Sequence, residues 1–170
     1  MHTAAPLVVV MGITGTGKST IGALLATRLG CSFVDGDRLH PAANIAKMAG
    51  GTPLTDEDRW PWLAVVGATL AESASVGLVV ACSALRRVYR DAILAEAPDA
   101  LFVHLSGDTG LVSERMTART DHFMPPSLIA SQLETLEPLQ DDEPGFAVAI
   151  DHTPDEIVDD ILARLRRSDS

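Results

Sequence analysis

Cysteine is almost absent from this chain: 170 residues contain only Cys31 and Cys82. They stand at no metal-ligand spacing, which excludes a disulfide framework and a structural zinc site. Cys31 follows a helical pattern and Cys82 ends a strand-like run, so both are expected to be small buried hydrophobes. Basic residues are also few, 13 Lys and Arg against 23 Asp and Glu, for a formal net charge of −10. A nucleic-acid partner is therefore not expected, because such domains carry a basic face. A local basic cleft for a small anion remains possible, but it must outweigh the field of the whole chain. No apolar run approaches the ~20 residues that span a bilayer. The N-terminus has no basic segment ahead of its short apolar run, so a cytoplasmic location and no membrane partner are expected. There is no internal repeat. The length and the ordinary balance of 46% hydrophobic to 21% charged residues predict one domain over residues 1–170.

What the chain does have is Gly12-Ile13-Thr14-Gly15-Thr16-Gly17-Lys18-Ser19, which fits the phosphate-loop pattern G-x-x-x-x-G-K-[S/T] at every fixed position. A β-type run, Leu7 to Met11, precedes it and a helical pattern, Thr20 to Leu29, follows it. The chemistry requires that setting. Glycines let successive backbone N–H groups face phosphate oxygens, and the helix start adds its dipole and unpaired donors. Gly12, Thr14, Gly15, Thr16, Gly17, Lys18, Ser19 and Thr20 are thus the expected nucleotide-binding residues. Lys18 supplies a mobile charge to the outer phosphates, and the Ser19 hydroxyl is placed to complete a Mg²⁺ shell.

Strand-type runs at Leu7–Met11, Ser32–Asp35, Gly77–Cys82, Ala100–Leu105 and Gly145–Ile150 alternate with helical patterns. The helices are expected near Ser19–Leu29, Asn44–Ala49, Asp56–Ala74, Tyr89–Ala95, Thr109–Arg119, Pro126–Leu136 and Pro154–Arg167. This alternation predicts an α/β fold whose five-stranded parallel sheet is covered by helices on both faces. Ligands then bind beyond the carboxyl ends of the strands. Pro61 is tolerable only near the start of its helix. The polar segment from Arg119 to Pro126 is expected to act as a mobile lid, and Gln140–Pro144 to be a solvated acidic loop.

At the end of the second strand lies Asp35-Gly36-Asp37-Arg38-Leu39-His40-Pro41. Two carboxylates one residue apart can divide the work of phosphoryl transfer. One orients the metal and its water; the other takes the proton of the attacking hydroxyl. Asp37 is assigned as the base and Asp35 as the metal-side partner, with the reverse assignment open. His40 either bonds a substrate hydroxyl or locks the turn.

Further along stand Gly51-Thr52-Pro53-Leu54-Thr55-Asp56-Glu57-Asp58-Arg59-Trp60-Pro61-Trp62-Leu63 and Ala81-Cys82-Ser83-Ala84-Leu85-Arg86-Arg87-Val88-Tyr89-Arg90-Asp91. Later come His122-Phe123-Met124 and Gln132-Leu133-Glu134-Thr135-Leu136-Glu137-Pro138. With the phosphate loop and the DGDRLHP run, these segments make the chain, from about Val8 to Pro138, closely resemble the gluconate kinases (gluconokinases) of the small P-loop type. The resemblance implies an adenylate-kinase-like or shikimate-kinase-like P-loop core, transfer of phosphate from ATP to D-gluconate with Mg²⁺, and a homodimer. Members often carry CSALK where this chain has Arg86, which keeps the charge but changes its geometry.

A polyhydroxy carboxylate needs cations for its acid group and polar groups for its hydroxyls. Arg59, Arg86 and Arg90 are candidates for the first task. The resemblance favours Arg59, because the equivalent Asp-Arg pair of shikimate-kinase-like folds faces the acid. Ser83 ends a strand and can donate to ligand oxygens; Gln132, Thr135 and His122 are further substrate candidates. Trp60 and Trp62 either wall the sugar site or pack in the core. Arg115 and Arg119 share a helix face. By similarity to adenylate-kinase-like enzymes, Arg115 would stack on adenine and Arg119 would clamp the migrating phosphoryl group. The competing readings are a kinase for another acceptor, a shikimate-like acid or a nucleotide, and a nucleotide-binding regulator without turnover.

Overall fold

The computed structural model describes residues 5–13, 16–52, 54–107 and 132–168. Strands β1 (Leu7–Met11), β2 (Ser32–Asp35), β3 (Leu78–Ala81), β4 (Leu101–Ser106) and β5 (Gly145–Ala149) form one sheet in the order β2-β3-β1-β4-β5. All four pairings are parallel, with Val9 opposite Val80 on one side and Phe102 on the other. β1 is central and wholly buried, which is why its sequence is apolar without alternation.

Helices α1 (Lys18–Leu29), α2 (Ala42–Ala49), α3 (Asp56–Glu72), α4 (Arg87–Glu96) and α5 (Pro154–Ser168) connect and cover the strands. Because side chains alternate across a strand, the sheet feeds two cores. Val8, Val10, Val79, Val103 and Val148 pack with Ile21 and Leu25 of α1 and Ile157 and Ile161 of α5. Val9, Met11, Leu78, Val80 and Phe102 pack with Leu63, Val66 and Leu70 of α3 and Ile93 of α4. Removing a core leucine such as Leu63 or Leu70 would cost about 2–5 kcal/mol.

The five strands and the five described helices fall where the sequence pattern puts them, within a few residues. α3 starts at a capping box, in which the Thr55 hydroxyl accepts from Asp58 N and the Asp58 carboxylate from Thr55 N. Pro61 sits in its second turn without ending it. α4 begins two residues earlier than expected because the Glu137 side chain, 50 positions away, accepts from Arg87 N at 2.7 Å. The predicted helix Thr109–Arg119, the lid at residues 119–126 and most of Pro126–Leu136 lie outside the described residues; 132–135 are helical. No helix among the described residues is long and apolar enough to cross a membrane.

Candidate active site

The carboxyl ends of β1, β2 and β3, parallel neighbours in the sheet, come together at one edge. The chain leaves β1 through Gly12, whose φ of +148° lies outside the usual range of L side chains and whose added Cβ would meet Leu105 O at 2.9 Å. Gly12 N donates to Ser83 O at 3.3 Å, tying the loop to the end of β3. Buried Thr16 closes the turn through its hydroxyl, which donates to Ile13 O at 2.8 Å. Gly17 is the N-cap of α1 and brings no side-chain oxygen, so the first-turn amides receive no cap from it, the feature that lets a helix start accept an anion. The Lys18 ammonium donates to Gly12 O at 2.9 Å and Ile13 O at 3.0 Å, held against the loop. Thr20 is exposed on the first turn of α1. Thr14 and Gly15 lie outside the described residues.

Ser19 Oγ donates to Asp35 Oδ2 at 3.2 Å, and Asp37 N donates to Asp35 Oδ1 at 3.1 Å. Phosphate loop and acidic turn are thereby one unit. Gly36 lets the turn lie against β3, since a Cβ there would stand 2.5 Å from Ala81 O. Trp62 Nε1 donates to Gly36 O at 2.8 Å and fixes the turn from the α3 side. Among the described residues the Asp37 carboxylate accepts no hydrogen bond and is exposed to the cleft. Partial desolvation, then repulsion from Asp35, raises its pKa above the ordinary aspartate value, with Lys18 and His40 opposing. Hard oxygens on Ser19 and Asp35 suit Mg²⁺, which takes few protein ligands and otherwise binds water and phosphate. Among the described residues no group of three or more His, Cys, Asp or Glu side chains could hold a metal ion.

His40 is buried and stacks on Trp62 with ring centroids 4.1 Å apart. Asn44 Nδ2 lies 3.1 Å from His40 Nδ1 and donates to Asp58 O at 2.9 Å. An amide NH₂ only donates, so Nδ1 is the acceptor and the ring proton sits on Nε2. Burial lowers the His40 pKa and keeps the ring neutral, although Asp37 pulls the other way. The Asn44 bond and the Trp62 stack make the imidazole a lock on the turn.

Arg59 and Arg86 meet at the phenol of Tyr89, their guanidinium carbons 5.4 and 5.6 Å from the ring centroid. Asp56 joins them. It accepts from Tyr89 Oη at 2.6 Å, from Arg86 Nη1 at 2.9 Å and from Arg59 Nη1 at 3.5 Å.

Arg90 corrects the expected trio of acid-binding arginines. Its side chain is fully buried, with Nε and Nη2 on the Glu143 carboxylate at 2.6 and 3.0 Å and Nη1 on Ala84 O at 2.9 Å. No donor faces the cleft; Arg90 instead holds Ala84, whose φ of 42° is left-handed. The acidic stretch is a loop with Gln140, Asp141 and Asp142 exposed, as expected, Asp142 pairing with Arg87 at 2.8 Å; the exception is Glu143, which is buried on Arg90.

Trp62 is a core residue with a positioning bond rather than an open wall; Trp60 is half-exposed, edge-on to Tyr89 at 5.8 Å. Ser83 is half-buried at the end of β3. Gln132 and Thr135 lie in the helical turn 132–135, just before Glu137, whose N–H donates to Leu85 O at 2.7 Å. Arg115, Arg119 and His122 lie outside the described residues. Sequence reasoning missed Tyr89 as a site residue. It is the only tyrosine in the chain and stands one helical turn after Arg86, the one signal that pointed to it.

The strand order, phosphate loop and acidic turn define a P-loop kinase core, and residues 14–166 match the shikimate kinase family. Within that class the similarities are narrower. A gluconokinase of Gluconobacter oxydans (strain 621H) is 46% identical over 163 residues, 95% of this chain and 92% of its own length. The thermosensitive gluconokinase of Escherichia coli (strain K12) is 44% identical over 79% of this chain and 73% of its own. The crystal structure of a gluconokinase from Sinorhizobium meliloti 1021 superposes with a TM-score of 0.87 at 48% identity, covering 95% of this chain and 92% of that one. The chain belongs to the gluconokinase family of P-loop kinases.

Proposed function

We propose that this protein transfers the γ-phosphoryl group of ATP to the terminal hydroxyl of D-gluconate, giving 6-phospho-D-gluconate and ADP. The observation that carries the reading is the Ser19–Asp35 hydrogen bond, which joins a phosphate-binding loop to an acidic turn whose Asp37 carboxylate accepts no hydrogen bond among the described residues. The names of the relatives supply the acceptor: they are gluconokinases.

In this reading the loop amides and Lys18 hold the β- and γ-phosphates. Ser19 and Asp35 hold Mg²⁺, which when bound draws negative charge from the phosphate oxygens. Asp37 accepts the proton of the attacking hydroxyl; its raised pKa makes it a stronger base than an ordinary aspartate. The His40 Nε2–H donates to an acceptor hydroxyl. Arg59 and Arg86 receive the carboxylate at the other end of the sugar acid. Ser83 borders the site where β3 meets the phosphate loop. Free thiols and dependence on ATP suit a cytoplasmic location, and a homodimer is part of the same reading, testable by light scattering.

A coupled ADP-release assay tests the activity. Turnover with gluconate should exceed that with other aldonates and with shikimate, and Lys18→Ala should abolish it while the protein stays folded. Turnover with shikimate or a nucleotide instead of gluconate would refute the acceptor; no ADP formation with any of them would refute the kinase.

A further inference from the structure

Two arginines and one aspartate meet at Tyr89, and their charges do not cancel. Arg59 and Arg86 contribute two positive charges and Asp56 one negative, so these three ion-paired side chains sum to +1, with the Glu137 carboxylate a weaker influence on Arg86 from outside the trio. All three side chains remain about a third exposed, at 31%, 38% and 35%, and so are open to a ligand. The Tyr89 phenol orders them. It accepts from Arg59 Nη1 at 3.3 Å and donates to Asp56 at 2.6 Å. Helix capping alone does not account for Asp56, because the capping box of α3 is made by Thr55 and Asp58 and leaves the Asp56 carboxylate to the arginines.

We propose that Asp56 is a specificity-determining residue that sets the charge accepted at the head of the sugar acid to one, by cancelling one of the two arginines. The inference rests on the acceptor reading above and deepens it. A monocarboxylate brings the cluster to neutrality. A dianionic head leaves one negative charge uncompensated beside the Asp56 carboxylate, and a neutral head leaves the guanidinium pair without its anion. Like charges in a desolvated contact are the usual means by which a site rejects a near-identical ligand. With two free arginines the site would welcome a phosphate head as readily as a carboxylate, since guanidinium recognises both.

The test compares three acceptors with the same six-carbon chain and free terminal hydroxyl: D-glucitol, D-gluconate and D-glucitol 1-phosphate. They are assayed for kcat/KM at pH 8, where the phosphate carries close to two charges. The wild type should prefer gluconate to both others. Asp56→Asn and Asp56→Ser should each raise the ratio of the alditol phosphate to gluconate about tenfold, and Asp56→Glu should restore it. Arg86→Gln should move preference the other way, toward the neutral alditol. A merely structural role for Asp56 would lower all three rates together and leave the ratios alone. Folded Asn or Ser variants with the wild-type ratio would overturn the assignment of Asp56 while leaving the kinase reading intact, as would a wild type indifferent between the one-charge and two-charge heads. A wild type without turnover on gluconate would overturn both.

Discussion

Ser19 on α1 and Asp35 on β2 are joined by a 3.2 Å hydrogen bond from hydroxyl to carboxylate. The other Asp35 oxygen receives Asp37 N at 3.1 Å. Asp35 is thereby tied to the phosphate loop, while the Asp37 carboxylate accepts no hydrogen bond among the described residues; in the proposed reading Asp37 is the base. Asp37→Asn is expected to lower kcat by about 10²–10⁴-fold while nucleotide affinity, read by calorimetry, changes little. Asp35→Asn should instead raise the Mg²⁺ concentration needed for half-maximal activity. A kcat near wild type in D37N together with a collapse in D35N would exchange the two roles.

The pH dependence follows from the same pair. The Asp37 pKa is raised first by desolvation and then by the negative charge of Asp35. The acidic limb of kcat/KM, which reports groups of the free enzyme, should lie above the ordinary aspartate range. Asp35→Asn removes the second cause and should shift the Asp37 titration to lower pH, as followed by carboxyl-detected NMR of the free protein. A shift to higher pH would mean that Asp35 does not repel Asp37.

Local chemistry made most of this site legible. The phosphate loop, the DGD turn and the Thr55 cap are short patterns whose residues act on neighbours in the chain. Arg90 was misread because its partner, Glu143, is 53 positions away, and nothing in the local pattern separates a buried arginine from a cleft-facing one. Glu137, which caps α4 across 50 positions, was hidden for the same reason. The sheet could be read as parallel from strand alternation, but the order β2-β3-β1-β4-β5 depends on long-range pairing, which no periodicity encodes.

Asp58 closes the α3 capping box and also binds Lys47 at 2.6 Å. The Lys47 hydrogen bond, then the Thr55 backbone donor, holds its pKa down to about 2 from 3.8. A carboxylate depressed on folding contributes stability that is complete above about pH 4 and is lost as the pH falls toward 2. Thermal melts of the wild type should therefore fall across that window more steeply than those of Asp58→Asn. Equal slopes would show that this pair does not contribute. Thr55→Ala, which removes the cap itself, should cost about 0.5–2 kcal/mol at neutral pH.

Gly36 separates the two carboxylates and lies against β3. The added methyl of Gly36→Ala would stand 2.5 Å from the Ala81 carbonyl oxygen, inside contact distance. Backbone on one side and the Trp62 bond on the other leave little room to yield. The variant is expected to stay folded, because the sheet pairs without this residue, but to lose activity by about 100-fold or more as Asp37 moves off line. Normal kcat would show that the turn tolerates displacement.

Arg90 and Glu143 separate stability from substrate positioning. Arg90→Met alone leaves the Glu143 carboxylate buried without its cation and should cost about 3–5 kcal/mol, seen as a lower urea midpoint at constant slope. Replacing both, as Arg90→Met with Glu143→Leu, removes the stranded charge and should recover most of that loss. It does not restore the donor to the carbonyl oxygen of the left-handed Ala84, two residues before Arg86. The double variant should therefore regain stability yet keep a raised KM for gluconate, with the KM for ATP unchanged. Recovery of stability and gluconate KM together would show that the buried pair stabilises the fold without positioning Arg86.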